Sequence, residues 1–156
     1  FYPQNSGNVT LNYLESNHSN YWHDNISKQP GFSDAGKKDF TLKSDSPMID
    51  AGVWLTQINS EGGSGTTFAV EDPKYFMDGW GLVKGDEIQL SGQKKMVRIT
   101  KIEGNSITVD KSISWNKGDG VSLPYNSAAP DLGAFENGAS VSATLYPPIN
   151  LRIIRD

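Results

Sequence analysis

Two stretches decide the fold: Asp39–Gly52, with the sequence DFTLKSDSPMIDAG, and Ala129–Glu136, with the sequence APDLGAFE. In the first stretch, Phe40 and Leu42 alternate with polar residues, which predicts a half-buried strand. Ser46-Pro47 should end that strand, because proline fixes its own φ and biases the preceding residue toward extended geometry. The second stretch is similar: Pro130 and Asp131 are expected at a corner, Leu132 in the core and Gly133 at a tight position.

This pair of stretches resembles the closing signature of secreted bacterial right-handed parallel β-helix proteins. In that family a segment of the form dF.L...SP.IDaG is followed, often directly, by DiGA(Y/F)E. The resemblance implies the last coils of a β-helix on a polysaccharide-processing or cell-surface protein. It covers terminal coils only, so the catalytic positions of the β-helix polysaccharide lyases have no counterpart here. Any active site of a parent enzyme is expected upstream of Phe1.

The two halves of the signature are separated by Val53 to Ala128, which predicts an inserted domain. Gln57 to Gly65, QINSEGGSG, is typical of a flexible linker. After it, short alternating runs between turn residues indicate a small antiparallel β-barrel or sandwich. These runs are Thr67–Val70, Tyr75–Met77, Glu87–Leu90, Lys95–Ile102, Ser106–Asp110, Ile113–Trp115 and Val121–Leu123.

The expected fold class is therefore all-β, with terminal parallel β-helix-like coils and an inserted small antiparallel barrel or sandwich. We expect end coils over residues 1–63, the barrel over 64–127, and a closing segment with an extended tail over 128–156. Because the host residues that flank the insertion should be adjacent, Gly52 and Pro130 are predicted to lie close together.

Composition excludes several classes of protein. The net charge of −4 argues against a nucleic-acid surface, which needs clustered Lys and Arg. No stretch approaches the roughly 18 apolar residues of a membrane span, so no membrane partner is expected. The absence of cysteine excludes a disulfide scaffold and thiolate chemistry.

Candidate catalytic and metal-binding residues are few. The two histidines, His18 and His23, are crowded in sequence, but catalytic triads are defined by geometry, and no metal-ligand spacing is recognisable. A Ca²⁺ site is conceivable from the aspartates but has no motif behind it, so no cofactor is expected. Asp50, Asp110 and Asp131 are more simply interpreted as acceptors of backbone N–H bonds at turns.

Aromatic residues in and beside the insertion are the better candidates for binding. Flat aromatic rings stack on the apolar C–H faces of sugars, and four candidates are Trp80, Trp115, Tyr75 and Trp54. Trp80, between two glycines, and Trp115, followed by Asn116-Lys117-Gly118, are predicted to be at least partly exposed. The alternative is that a small barrel needs these large side chains for its core.

The sequence thus favours a non-catalytic, carbohydrate-associated C-terminal module of a secreted or cell-surface bacterial β-helix protein. Its expected partners are a polysaccharide and upstream β-helix coils. The alternative is a purely structural cap of a β-helix polysaccharide lyase or hydrolase. A free-standing enzyme has no residue set to support it.

Overall fold

The fold is taken from a computed structural model, which describes residues 28–138 together with Ser16, Asn17, Ser19 and Ile26. The chain divides into two compact units, Phe1–Pro30 and Gly31–Asp156, and every element below belongs to the second. The elements are β1 (Phe32–Asp34), a 3₁₀ helix (Ala35–Lys37), β2 (Asp39–Leu42), β3 (Thr56–Gln57), β4 (Gly63–Ala69), β5 (Glu87–Leu90), β6 (Met96–Glu103), β7 (Ser106–Trp115) and β8 (Gly120–Ser122).

Strands β1 and β2 form a two-stranded antiparallel sheet in which Phe32 pairs with Leu42. The predicted strand at Phe40 and Leu42 is confirmed, and the Leu42 side chain is buried. All strand pairs within the described residues are antiparallel, so no parallel β-helix coil is seen there. Of the end coils expected over residues 1–63, the part before residue 28 lies outside the described ranges except at four single positions, as does the tail after residue 138.

The two signature stretches are in direct contact, although Gly52 and Ala129 are 77 positions apart in the sequence. The Gly52 N–H donates to the Pro130 carbonyl oxygen at 2.7 Å, which confirms the predicted closeness of these two residues. The Asp50 N–H donates to Asp131 Oδ1 at 2.8 Å. In return, Asp50 Oδ1 accepts the two N–H groups that precede Pro130, at 2.9 and 3.0 Å.

The insertion is a six-stranded antiparallel sheet with the strand order β3-β8-β5-β6-β7-β4. An antiparallel bridge between Ile58 and Val70 joins its two edges, so the sheet curls into a half-barrel. The flanking backbone bonds of that bridge measure 2.8 and 2.9 Å. The prediction of an all-β chain with a small antiparallel barrel is confirmed to this extent. The buried core consists of Ile58, Phe68, Val70, Phe76, Ile88, Leu90, Val97, Ile99, Ile107, Val109, Ile113, Trp115 and Val121.

Two details of the predicted strands are wrong. Tyr75–Met77 forms no strand, because side-chain bonds from Asp72 and Asp86 to nearby backbone N–H groups hold this segment in turns. The runs predicted at 106–110 and 113–115 are one continuous strand, β7, whose partner β6 absorbs an irregularity between Ile99 and Lys101.

The predicted flexible linker over residues 57–65 is also wrong. Gly63 pairs with Trp115 in the sheet, and Ile58 belongs to the buried core. A Cβ on Gly63 would lie 3.3 Å from Trp115 Cζ2, and one on Gly65, whose φ is +154°, would lie 3.7 Å from the same ring. Close packing of the indole thus favours glycine at position 63, whereas at position 65 it is the positive φ, rarely adopted by other residues, that favours glycine.

We predict that Gly52→Ala destabilises the fold, because the new Cβ would lie 2.6 Å from the Pro130 carbonyl oxygen. Overpacking of this kind costs about 1–3 kcal/mol in the free energy of unfolding. Gly36→Ala is the matched control, since the nearest atom there, Asp34 Oδ1, is 3.4 Å away. Urea denaturation measures both. Equal stability of the two variants would contradict the proposed close approach.

Candidate functional site

The loop from Pro73 to Asp86, between the Ile58–Val70 bridge and β5, carries the most exposed aromatic residue of the predicted set. Phe76 anchors this loop in the core. The Asp78 carboxylate then fixes its course, since Oδ1 accepts the Trp80 N–H at 2.9 Å and Oδ2 accepts the Ile102 N–H at 3.2 Å. These two backbone bonds, led by the one from Trp80, hold the pKa of Asp78 below its usual value.

A tight turn follows at Gly79. Its carbonyl oxygen accepts the N–H groups of Leu82 and Val83 at 2.9 and 3.1 Å. Only glycine fits here, because φ is +82° and a Cβ would lie 2.0 Å from the Val83 carbonyl oxygen. Trp80 itself has φ = +50°, a left-handed conformation that costs a bulky residue about 1–2 kcal/mol. The surrounding bonds therefore hold the Trp80 backbone in this conformation at an energetic cost.

The turn presents three large apolar side chains to solvent within four positions. Trp80 is 75% exposed, Leu82 87% and Val83 61%. Exposed apolar side chains that are grouped, rather than scattered singly, mark interaction sites. A binding site is therefore expected beside this turn, and of the three side chains the cavity described next includes Trp80 but not Leu82 or Val83.

A shallow cavity of about 340 Å³ lies beside Trp80. This volume is at the lower end of the roughly 300–1,000 Å³ that is usual for ligand sites. The cavity combines the indole with apolar side chains and two charged ones. Its lining consists of Pro73, Lys74, Phe76, Met77, Asp78, Trp80, Ile102 and Gly104.

The other three predicted aromatic residues do not line this cavity. Tyr75 is 58% exposed on the same loop. Trp54 is half-buried, with its ring centroid 5.2 Å from that of Tyr125 and its indole against the backbone of Gly120. Of the four predicted aromatic residues, Trp80 is therefore the one that lines the cavity, and its ring is exposed to solvent.

The predicted exposure of Trp115 is wrong. Its side chain is 9% exposed, packs on Phe68 with ring centroids 5.4 Å apart, and donates from Nε1 to the Glu61 carbonyl oxygen at 2.9 Å. The polar residues that follow Trp115 belong to the next turn and do not accompany its ring. A platform made of Trp80 and Trp115 is therefore not formed.

Sequence reasoning missed the companions of Trp80, above all Lys74, Met77 and Ile102. Ile102 was assigned to a strand, and nothing local relates it to a turn more than twenty positions earlier. The Asp78-Gly79-Trp80-Gly81 order was the available signal, since aspartate before glycine favours a tight turn.

The three aspartates that were predicted to accept backbone N–H bonds do so, although Asp110 lies within β7 and not at a turn. Asp50 and Asp131 accept backbone N–H bonds in the contact between the two signature stretches, as predicted. Asp110 accepts the Arg98 N–H at 2.8 Å. Within the described residues, no three His, Asp or Glu side chains form a group that could hold a metal ion. His18 and His23 lie outside the described ranges.

Comparisons with known proteins gave no match: neither a protein family, nor a curated protein, nor a solved structure is similar to this chain. None of the described helices has the length and apolar character needed to span a membrane. The function is therefore inferred from the geometry of the Trp80 cavity.

We predict stability effects of very different size for the two tryptophans. Trp115→Ala should lower the free energy of unfolding by about 3–5 kcal/mol, because it removes a buried aromatic ring from the core. Trp80→Ala should change it by no more than about 0.5 kcal/mol, as for other exposed positions. Thermal unfolding followed by circular dichroism measures both, and a large loss for Trp80→Ala would show that its ring is part of the core.

Proposed function

We propose that this chain is a non-catalytic, carbohydrate-associated module that binds a polysaccharide at the Trp80 cavity. The observation that carries the proposal is an exposed indole, held in a strained backbone conformation, beside a cavity with polar groups. Strained residues persist only where the surrounding structure determines them, and they cluster at binding sites.

The cavity has the parts that a sugar ring requires. The indole of Trp80 and the side chain of Met77 offer apolar surface to the C–H face of a sugar. The carboxylate of Asp78 can accept a hydrogen bond from a sugar hydroxyl, and the ammonium of Lys74 can donate one to a sugar hydroxyl. Because the cavity is shallow, few contacts are fully desolvated and the affinity should be weak.

The wider setting of the module is part of the proposal. We place it at the end of a parallel β-helix in a secreted or cell-surface bacterial protein. The resemblance of the two signature stretches supports this setting, as does the direct contact between them through Gly52 and Pro130.

Affinity electrophoresis in gels that contain polysaccharide tests the binding proposal. The native chain should be retarded, and Trp80→Ala should lose the retardation because the stacking surface is gone. Leu82→Ala is the matched control, since Leu82 is on the same turn and equally exposed to solvent but does not line the cavity. Retardation that is lost equally in both variants, or absent from the native chain with every polysaccharide, would contradict the proposal.

A second candidate function is a structural cap that covers upstream β-helix coils. Three side chains in or next to the signature stretches favour it, because Phe40, Leu132 and Phe135 are each 40–44% exposed. An apolar end that was made to contact another coil should be partly uncovered when that coil is absent.

The cap hypothesis predicts association of the isolated chain. Sedimentation velocity should show a concentration-dependent increase in mass for the native chain. The double variant Phe40→Ser, Phe135→Ser should remain a monomer, while Leu82→Ala should behave like the native chain. A native chain that stays monomeric at all concentrations would contradict this second function.

A further inference from the structure

We infer that the ligand of the Trp80 cavity is a neutral polysaccharide and not an acidic one. The inference rests on the proposed function, because it names the class of ligand for the same site. It comes from the charged groups that line and surround the cavity.

The Asp78 carboxylate is the acidic group of the lining. Each of its oxygens accepts one backbone N–H, from Trp80 at 2.9 Å and from Ile102 at 3.2 Å. A carboxylate has about four acceptor positions, so both oxygens can still accept another hydrogen bond. A sugar hydroxyl can donate that bond. The ionised carboxylate of a uronate cannot donate such a bond, and its charge would be repelled.

Lys74 is the basic group of the lining, and its charge is already partly balanced. Its Nζ lies 3.8 Å from Asp72 Oδ2, while the Lys74 N–H donates to Asp72 Oδ1 at 3.0 Å. Together, Lys74, Asp72 and Asp78 carry one positive and two negative charges, a net charge of −1. The cavity thus has no excess cation to attract a uronate.

The charged groups on neighbouring elements do not change the sign of this net charge. On the same loop, exposed Lys84 adds one positive charge and Asp86, which accepts the Met77 N–H, adds one negative charge. On β6, Lys101 and Glu103 pair with each other at 2.7 Å on either side of Ile102. With these groups included, the surroundings of the cavity still carry a net negative charge, as does the whole chain at −4.

The test compares gels that contain a neutral polysaccharide, such as xylan, glucomannan or mixed-linkage β-glucan, with gels that contain polygalacturonate or alginate. The native chain should be retarded by at least one neutral polysaccharide in a Trp80-dependent way. Its affinity for polygalacturonate and alginate should be at least about fivefold weaker, which is the factor expected from the repulsion of two unit charges about 4 Å apart in water.

Asp78→Asn sharpens the test, because it removes the charge while one amide oxygen can still accept the Trp80 N–H. The ratio of acidic to neutral binding should rise toward one in this variant, and Lys84→Ala should leave the native ratio in place or lower it. Should Asp78→Asn unfold the loop, as seen from lost amide dispersion, the native comparison alone decides.

The two proposals fail in different ways. Trp80-dependent retardation that is stronger with polygalacturonate or alginate than with all neutral polysaccharides would overturn this inference and leave the proposed function in place. Absence of Trp80-dependent retardation in every gel would overturn both.

Discussion

The contact between Asp50 and the segment before Pro130 is the constraint on which the rest of the structure depends. It brings the chain back beside its point of departure, so the domain between must have neighbouring ends. The half-barrel meets this condition because its first and last strands are partners: Thr56 of β3 pairs with Val121 of β8. A domain whose ends already lie together can be inserted into a host without stretching either part.

Asp50 suits this position for two separate reasons. Its φ of +54° lies in the left-handed region, which aspartate tolerates better than most residues. Its carboxylate accepts the N–H groups of Ala128 and Ala129, and the bond from Ala129 is the main reason that the pKa of Asp50 is below its usual value. Asp131 accepts the Asp50 N–H in return, so each stretch supplies an acceptor to the other.

Local sequence predicted those parts of the fold whose causes are local. Glu87–Leu90 was predicted with its observed bounds, because a glycine and aspartate precede it and its apolar residues alternate. The role of Gly63 could not be predicted in the same way, because it depends on Trp115, which is distant in the chain. The exposure of the tryptophans could not be predicted locally either. The indole N–H of Trp115 donates to the Glu61 carbonyl oxygen, which is distant in sequence. The backbone N–H of Trp80 donates to Asp78, and this bond fixes the backbone but leaves the indole in solvent.

In the proposed site, stability and binding depend on different parts of the loop around Trp80. Phe76 enters the core and the Ile102 N–H holds Asp78, so the barrel fixes where the turn begins. Gly79 then allows a turn so tight that Trp80 must adopt left-handed geometry. The indole gains no burial in exchange for that strain, since 75% of its surface remains exposed. In the proposed site the Trp80 backbone is thus already fixed before a ligand arrives, so ordering this backbone costs no further entropy on binding.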